Sequence, residues 1–267
     1  MILYRYFGTH AFETVRDGRL KVSKLSDFND PFEGLYYFPE EIDIKEARRA
    51  AETQKRRNRN PEVAFCSDQI LTQTPIAQLT RAIKASYPQL LERLQQSSSD
   101  FQKLARVISF TSSEIDPATE IVIWSHYAQH HSGIRIGIDF PNWNASRYTI
   151  EPVSYSLDRI KVLLGDFEDQ DGRNLYDAHF HKSVAWKYEM EHRLQTLPEY
   201  CEKDGLMGLE FLRFNPAWIR RIDFGLRCPM EKIGELADFV RSKLPSIELK
   251  QAKVHPTKYE MVYLDLP

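Results

Sequence analysis

Cysteine is scarce in this 267-residue sequence. Cys66, Cys201 and Cys228 are odd in number and far apart, so they build neither a disulfide framework nor a zinc spacing, and a reducing compartment is expected. Long apolar runs are missing too: no stretch approaches the roughly 18 apolar residues a membrane helix needs. The opening MILYRYFGTH has neither the basic start nor the apolar run of a signal peptide, so a cytoplasmic protein with no membrane partner is expected. Net charge is nearly absent at -2, which removes any global pull towards nucleic acid or anionic lipid and leaves such binding to a local patch. No G-x-G-x-x-G, no Walker sequence and no G-x-S-x-G elbow occurs, which excludes the common phosphate loops and the hydrolase nucleophile turn.

What is present argues for a folded protein. Apolar residues make up 42% and aromatic residues 12%, enough to build a sizeable core. ILYRYF reads as a strand, residues 9–17 as a helix, and RLKVSKL as a second strand. From residue 40 to about 106 apolar residues recur at helical spacing, which predicts a helical insertion. Strands return in ARVISFTSS and IRIGIDF, separated by a short helix in EIVIWSHYAQHHSG that Gly133 ends as a left-handed C-cap. The acidic run 165–172 reads as an exposed loop, NLYDAHFHKSVA as a helix, the segment after Pro229 as a helix buried through Ile233, Leu236 and Val240, and KYEMVYLDL as a last strand. The expected fold is a single mixed α+β domain over 1–267, with a largely antiparallel sheet and the 40–106 insertion.

The stretch WKYEMEHRL, Trp186 to Leu194, carries the most chemistry. As a strand it puts Lys187, Glu189, Glu191 and Arg193 on one face and Trp186, Tyr188, Met190 and Leu194 on the other. As a helix it spaces Trp186, Met190 and Leu194 every fourth residue. Trp and Tyr favour a pleated surface and Pro198 closes the segment at strand length, so we read a strand. Its two carboxylates read either as a reactive pair or as a solvated ladder of charges. His126 and His130 have the i,i+4 spacing of a zinc helix, but no Glu follows His126, and no metal is expected.

Three stretches, LSDFNDPFEG, IWSHYAQHHSGIRIGIDF and KSVAWKYEMEHR, together resemble a prokaryotic family known as domain of unknown function 2971. A weaker resemblance connects Arg5 in LYRYF, the stretch SFTSS from Ser109 to Ser113, and Glu189-Met190-Glu191 to ADP-ribosyltransferases of the arginine-serine-glutamate type. FTSS matches that strand motif only in part. The resemblance implies an ADP-ribosyltransferase-like fold and NAD as substrate, with ADP-ribose passed to a macromolecule or to water, as in a toxin or defence effector. Glu191 would stabilise an oxocarbenium-like state and Glu189 would orient or deprotonate the acceptor. Arg5, with Tyr6 beside it, would meet the phosphates, Ser109 and Thr111 would brace the nicotinamide-ribose end, and Trp124 or Tyr127 would stack a ring, with His126 also at the cofactor. Arg193 and the loop residues Asn29 and Asp30 would contact substrate, although Asn and Asp in such a loop also cap turns.

Two further classes compete. A non-catalytic module would hold nucleic acid or protein through the basic insertion, using Arg48, Arg49, Arg56, Arg57 and Arg59, unless these form a solvated helix face. A metal-dependent nuclease would need Asp27, Asn29, Asp30 and Glu33 to converge with His126.

Overall fold

The structure is a computed structural model that describes residues 1–8, 11–59, 73–164, 177–205 and 208–266, without the side chains of 57–59, 97–98 and 100–101. Cys66, the acidic run 165–172 and the side chains of Arg57 and Arg59 therefore lie outside the described residues.

The chain opens with strand β1 (Leu3–Phe7), helix α1 (Phe12–Asp17) and strand β2 (Arg19–Lys21). Helices α2 (Ile44–Arg59) and α3 (Ile76–Leu104) follow, then β3 (Arg106–Ser112), α4 (Pro117–Tyr127), β4 (Ile134–Ile138), β5 (Asn144–Ala145) and β6 (Tyr148–Pro152). Two short strands, β7 (Ser154–Ser156) and β8 (His181–Ser183), precede a 3-10 turn over Val184–Glu189. The remainder is β9 (Glu191–Thr196), β10 (Glu202–Lys203), β11 (Glu210–Arg213), β12 (Ile219–Phe224), α5 (Met230–Lys243), β13 (Glu248–Val254) and β14 (Met261–Asp265). The fold is mixed α+β with a largely antiparallel sheet, as expected from the sequence. Among the described residues no helix is long and apolar enough to cross a membrane.

The chain divides into two compact units. The first, Met1–Asp27 with Ala105–Val153 and Val184–Pro267, holds a nine-stranded sheet in the order β14-β13-β12-β4-β1-β3-β9-β6-β5. Every pairing in it is antiparallel except β12 with β13, the two strands that α5 connects. One face carries Leu3, Ile108, Phe110, Ile136, Leu194 and Ile222, and these pack with Val15 of α1 and Ile233, Leu236 and Val240 of α5 into the main core. All of β4 is buried, because the opposite face is covered as well. Strands β1 and β3 pair at Leu3/Ser112 and Tyr4/Thr111 and then part, and Ser23 bridges to Val107 where they have separated.

Helix α4 begins where Asp116 accepts from Ala118 N at 3.1 Å and Pro117 takes the first position. Its end corrects the sequence reading of Gly133. Gln129, His130 and His131 adopt the left-handed conformation, with φ of 49°, 54° and 68°, while Gly133 does not. Gly133 is needed for closeness instead: a Cβ there would stand 1.8 Å from the Phe7 carbonyl oxygen.

The second unit comprises Phe28–Leu104 and Ser154–Ser183, so the 40–106 helices share it with the β7–β8 segment. Ala47, Ala50 and Ala51 let α2 pack closely on Leu79, Ile83 and Tyr87 of α3. Tyr87 donates to the Pro39 carbonyl at 2.7 Å, and Gln102 to that of Gly34 at 2.8 Å, tying the preceding loop to α3.

Two local readings are overturned. Trp186 to Leu194 is not one strand: Val184–Glu189 is a 3-10 turn, Met190 has φ 45°, and the strand begins at Glu191. The β3–β9 ladder starts with Thr111 opposite Glu191, so residues before Met190 have no partner strand to extend against. The helix expected over NLYDAHFHKSVA, whose residues 174–176 lie outside the described residues, does not continue through His181–Ser183, which pairs in parallel with β7. Pairing with a distant strand outweighs the local helical pattern.

Candidate functional site

Paired residues of adjacent strands point to the same face of a sheet, so the registers sort the expected site residues. Tyr4, Thr111 and Glu191 stand side by side across β1, β3 and β9, with Ser109 opposite Arg193 on the same face. On β4 and β12 the neighbours on this face are Arg135 and Asp223. Arg5 alternates to the other face, beside Ile136, and so does not share a cleft with Glu191. Its Nη2 donates to the Lys21 carbonyl at 3.0 Å, and its Nη1 is buried without a hydrogen-bond partner among the described residues. Burial pulls its pKa down to about 10.

Helix α4 covers the polar face, and beneath it lies a knot built on Arg135. Its Nε donates to Asp223 Oδ2 at 2.8 Å, its Nη1 forms an ion pair with Glu120, and its guanidinium stands 4.2 Å and 4.5 Å from the ring centroids of Tyr4 and Tyr263. Arg221 donates to the second oxygen of Asp223 at 2.6 Å. Burial disfavours the charge on Arg135, yet Asp223 together with Tyr6 and Tyr263 outweighs it and holds the pKa above the ordinary arginine value. Tyr6 donates to Glu120 at 3.2 Å, and Trp124 donates to the Tyr263 hydroxyl at 2.9 Å. Tyr6, half-buried, and Trp124 are thus committed to this layer; Trp124 is fully buried and offers no face for a ligand ring. This corrects their expected cofactor roles.

Burial pushes the Tyr263 phenol up to about 12 from an ordinary 10.0. A raised pKa in the folded state means the stabilisation is complete below pH 10, where both states are neutral, and is lost as pH rises towards 12 because only the unfolded phenol ionises freely. We expect the urea midpoint to fall steadily between pH 9.5 and 11.5, with a shallower fall in Tyr263→Phe. Equal slopes in the two proteins would show that Tyr263 titrates as an exposed residue.

The second knot lies at the start of β9. Arg193 grips Glu191 with both prongs of its guanidinium, Nε to Oε1 at 2.8 Å and Nη2 to Oε2 at 3.1 Å, and both side chains are buried. Glu189, also buried, accepts from the Tyr127 hydroxyl at 2.6 Å, while Tyr127 itself reaches solvent at the end of α4. The solvated ladder is therefore excluded for three of its four members; Lys187 alone is exposed. His126 is exposed and packs edge-on against Tyr127 with ring centroids 6.0 Å apart. Thr111, Glu189, Glu191, Arg193 and Tyr127 are what the first unit gathers from the expected site. The turn at Met190 brings Glu189 there, and strand alternation does not.

Asn29 and Asp30 belong to the second unit. Asn29 is exposed, and Asp30 caps its turn by accepting from Phe32 N at 2.9 Å. On α2, Arg48 pairs with Glu52 at 2.9 Å, Arg56 donates to Thr53, and Arg49 is exposed, which is the pattern of a solvated helix face. His130 lies past the end of α4, so the zinc-helix spacing is not realised. Among the described residues no group of three or more His, Cys, Asp or Glu side chains could hold a metal ion.

Sequence reasoning missed Arg135, Asp223 and Glu120. The signal for the first was an arginine within the apolar strand IRIGI, where a charge has to be paired. Comparison with known proteins found no matching family model, no matching curated protein and no matching solved structure.

Proposed function

We propose that the protein consumes NAD, cleaving the bond between nicotinamide and ribose and passing ADP-ribose to a macromolecule or to water. The observation that supports this reading is the pair of buried carboxylates flanking Met190: Glu191 has its charge held by Arg193, and Glu189 is hydrogen-bonded to a phenol that reaches solvent. Cleavage sends the bonding electrons to the departing nicotinamide and leaves an oxocarbenium-like ribose, which a fixed carboxylate stabilises. Glu191 is committed to Arg193, so the reacting group is Glu189: it faces the developing cation and takes the proton of the incoming acceptor. Tyr127 positions it. The aromatic pair Trp186 and Tyr188, with ring centroids 6.2 Å apart on the same turn, supplies a surface for the nicotinamide, and exposed Lys187 supplies a cation for the phosphates. Arg5, on the opposite face, takes no part.

The test is nicotinamide release from labelled NAD, with and without cell lysate as acceptor. Glu189→Gln is expected to lower the rate by about 10²-fold or more while leaving the melting temperature close to that of the parent. Unchanged turnover in that variant, or no release by the parent protein with lysate present, would remove this reading.

A further inference from the structure

The second unit contains a cavity of about 710 Å³, within the range of small-molecule sites, and its walls combine two features. The first is exposed apolar surface: Phe32 is 62% exposed, Leu157 88% and Tyr37 40%, and all three line the cavity. Large apolar side chains clustered in water mark a surface that something covers. The second is cationic charge. Arg159 lies with its guanidinium 5.8 Å from the Tyr37 ring centroid, and Lys161 is bridged to Tyr37 through the backbone. Tyr37 N donates to Ile160 O at 3.0 Å and Val162 N donates to Tyr37 O at 2.9 Å, so the ring and the two cations are held on one rigid backbone. Among the described residues Asp158 is the one carboxylate lining the cavity, against those two cations and Lys182. Lys182 is buried within 3.8 Å of Glu33, which offsets its charge.

His181 and Ser156, 2.7 Å apart on the same wall, raise the alternative of a nucleophile and its base. The geometry argues against it. Ser156 Oγ also stands at close hydrogen-bond distance from the Asp158 carbonyl oxygen, which carries no proton, so the single hydroxyl proton lies on that contact. His181 Nε2 must then donate to Ser156, the reverse of what a general base requires. The cavity is built to bind.

We propose that this cavity is a binding site for a nucleoside monophosphate, with the base lying on Tyr37 and Phe32 and the phosphate held by Arg159 and Lys161. Stacking gives affinity that tolerates different bases, and the guanidinium fork suits a phosphate dianion. The proposal goes beyond NAD cleavage and rests on none of the residues assigned to it.

The test is titration of the full-length protein with a fluorescent adenosine monophosphate, followed by competition. Saturable binding is expected, displaced by unlabelled adenosine monophosphate and about tenfold less well by adenosine or inorganic phosphate alone. Arg159→Ala combined with Lys161→Ala, and separately Tyr37→Leu, should each weaken binding by about tenfold or more with an unchanged circular dichroism spectrum. Glu189→Gln should leave it unaltered, which separates this site from the cleavage reading. No saturation at ~5 mM, or undiminished binding in the double variant, would overturn the proposal. So would a short single-stranded RNA that binds about 100-fold more tightly than the mononucleotide and displaces it, since the surface would then serve a polymer.

Discussion

Arg193→Met is expected to lower the unfolding free energy by about 3–5 kcal/mol at neutral pH. Arg193 is 0% exposed and makes a two-pronged contact with Glu191, which is buried beside it. Met fills much of the same volume, so the loss is not chiefly a cavity. It comes from taking this guanidinium away from a carboxylate in the interior. Such a carboxylate escapes by taking up a proton, so its pKa in the folded variant rises above that of the unfolded chain. The penalty is then largest at neutral pH and shrinks as pH falls towards the unfolded value. Urea unfolding at pH 7 and pH 5 measures both parts. The double replacement Glu191→Leu with Arg193→Met is expected to regain most of the loss, because removing both charges removes the unpaired one. A loss of ~1 kcal/mol or less in the single variant would show that water reaches the pair. The same reasoning bears on the activity assay: Glu191→Gln disturbs a buried ion pair and would confuse instability with lost chemistry.

The sheet, its antiparallel pairing and the helices α2 and α3 were legible in the sequence because each long element keeps one period throughout. In β3, Ile108 and Phe110 alternate with Val107, Ser109 and Thr111, and the strand forms where that pattern lies. WKYEMEHRL resisted for a definable reason. Periodicity assumes one conformation across the window, whereas these nine residues hold a 3-10 turn, one left-handed residue and the first part of a strand. Both periods therefore fitted and neither was right. Arg5 failed differently. Its place on an early strand was correct, but the face it presents depends on its register with β3 and β4, which the order of motifs along the chain does not contain. Gly133 was correctly singled out and wrongly explained, because the Phe7 carbonyl that crowds it comes from a strand more than a hundred residues away. The buried charges were the least legible. Alternation predicts Arg135 on the side of β4 away from the apolar core, and it is there, but that side is closed by α4 and not open to water.

That closed polar layer carries the second large effect. Arg135→Met is expected to cost about 3–5 kcal/mol, and Arg135→Lys about 2 kcal/mol. Arg135 joins five elements: Tyr4 and Tyr6 on β1, its own β4, Asp223 on β12, Tyr263 on β14 and Glu120 on α4. Met would leave Asp223 with Arg221 and Glu120 with Tyr6, so each carboxylate keeps a contact but the layer loses its central positive charge. Lys restores the charge without the flat fork. It cannot bond Asp223 and Glu120 from separate nitrogens while lying between the rings of Tyr4 and Tyr263. The ordering of parent above Lys above Met is therefore the diagnostic, read by urea unfolding followed through tryptophan fluorescence, to which Trp124, whose indole donates to Tyr263 in the same layer, contributes. If Lys matched the parent, charge alone would suffice, and the planar packing between the two tyrosines would contribute nothing. If Lys fell to the level of Met, geometry would dominate. The intermediate value is expected because both the charge, which Lys keeps, and the stacking with divided hydrogen bonds, which it loses, hold α4 against the sheet and so hold Tyr127 against Glu189 at the end of the same helix.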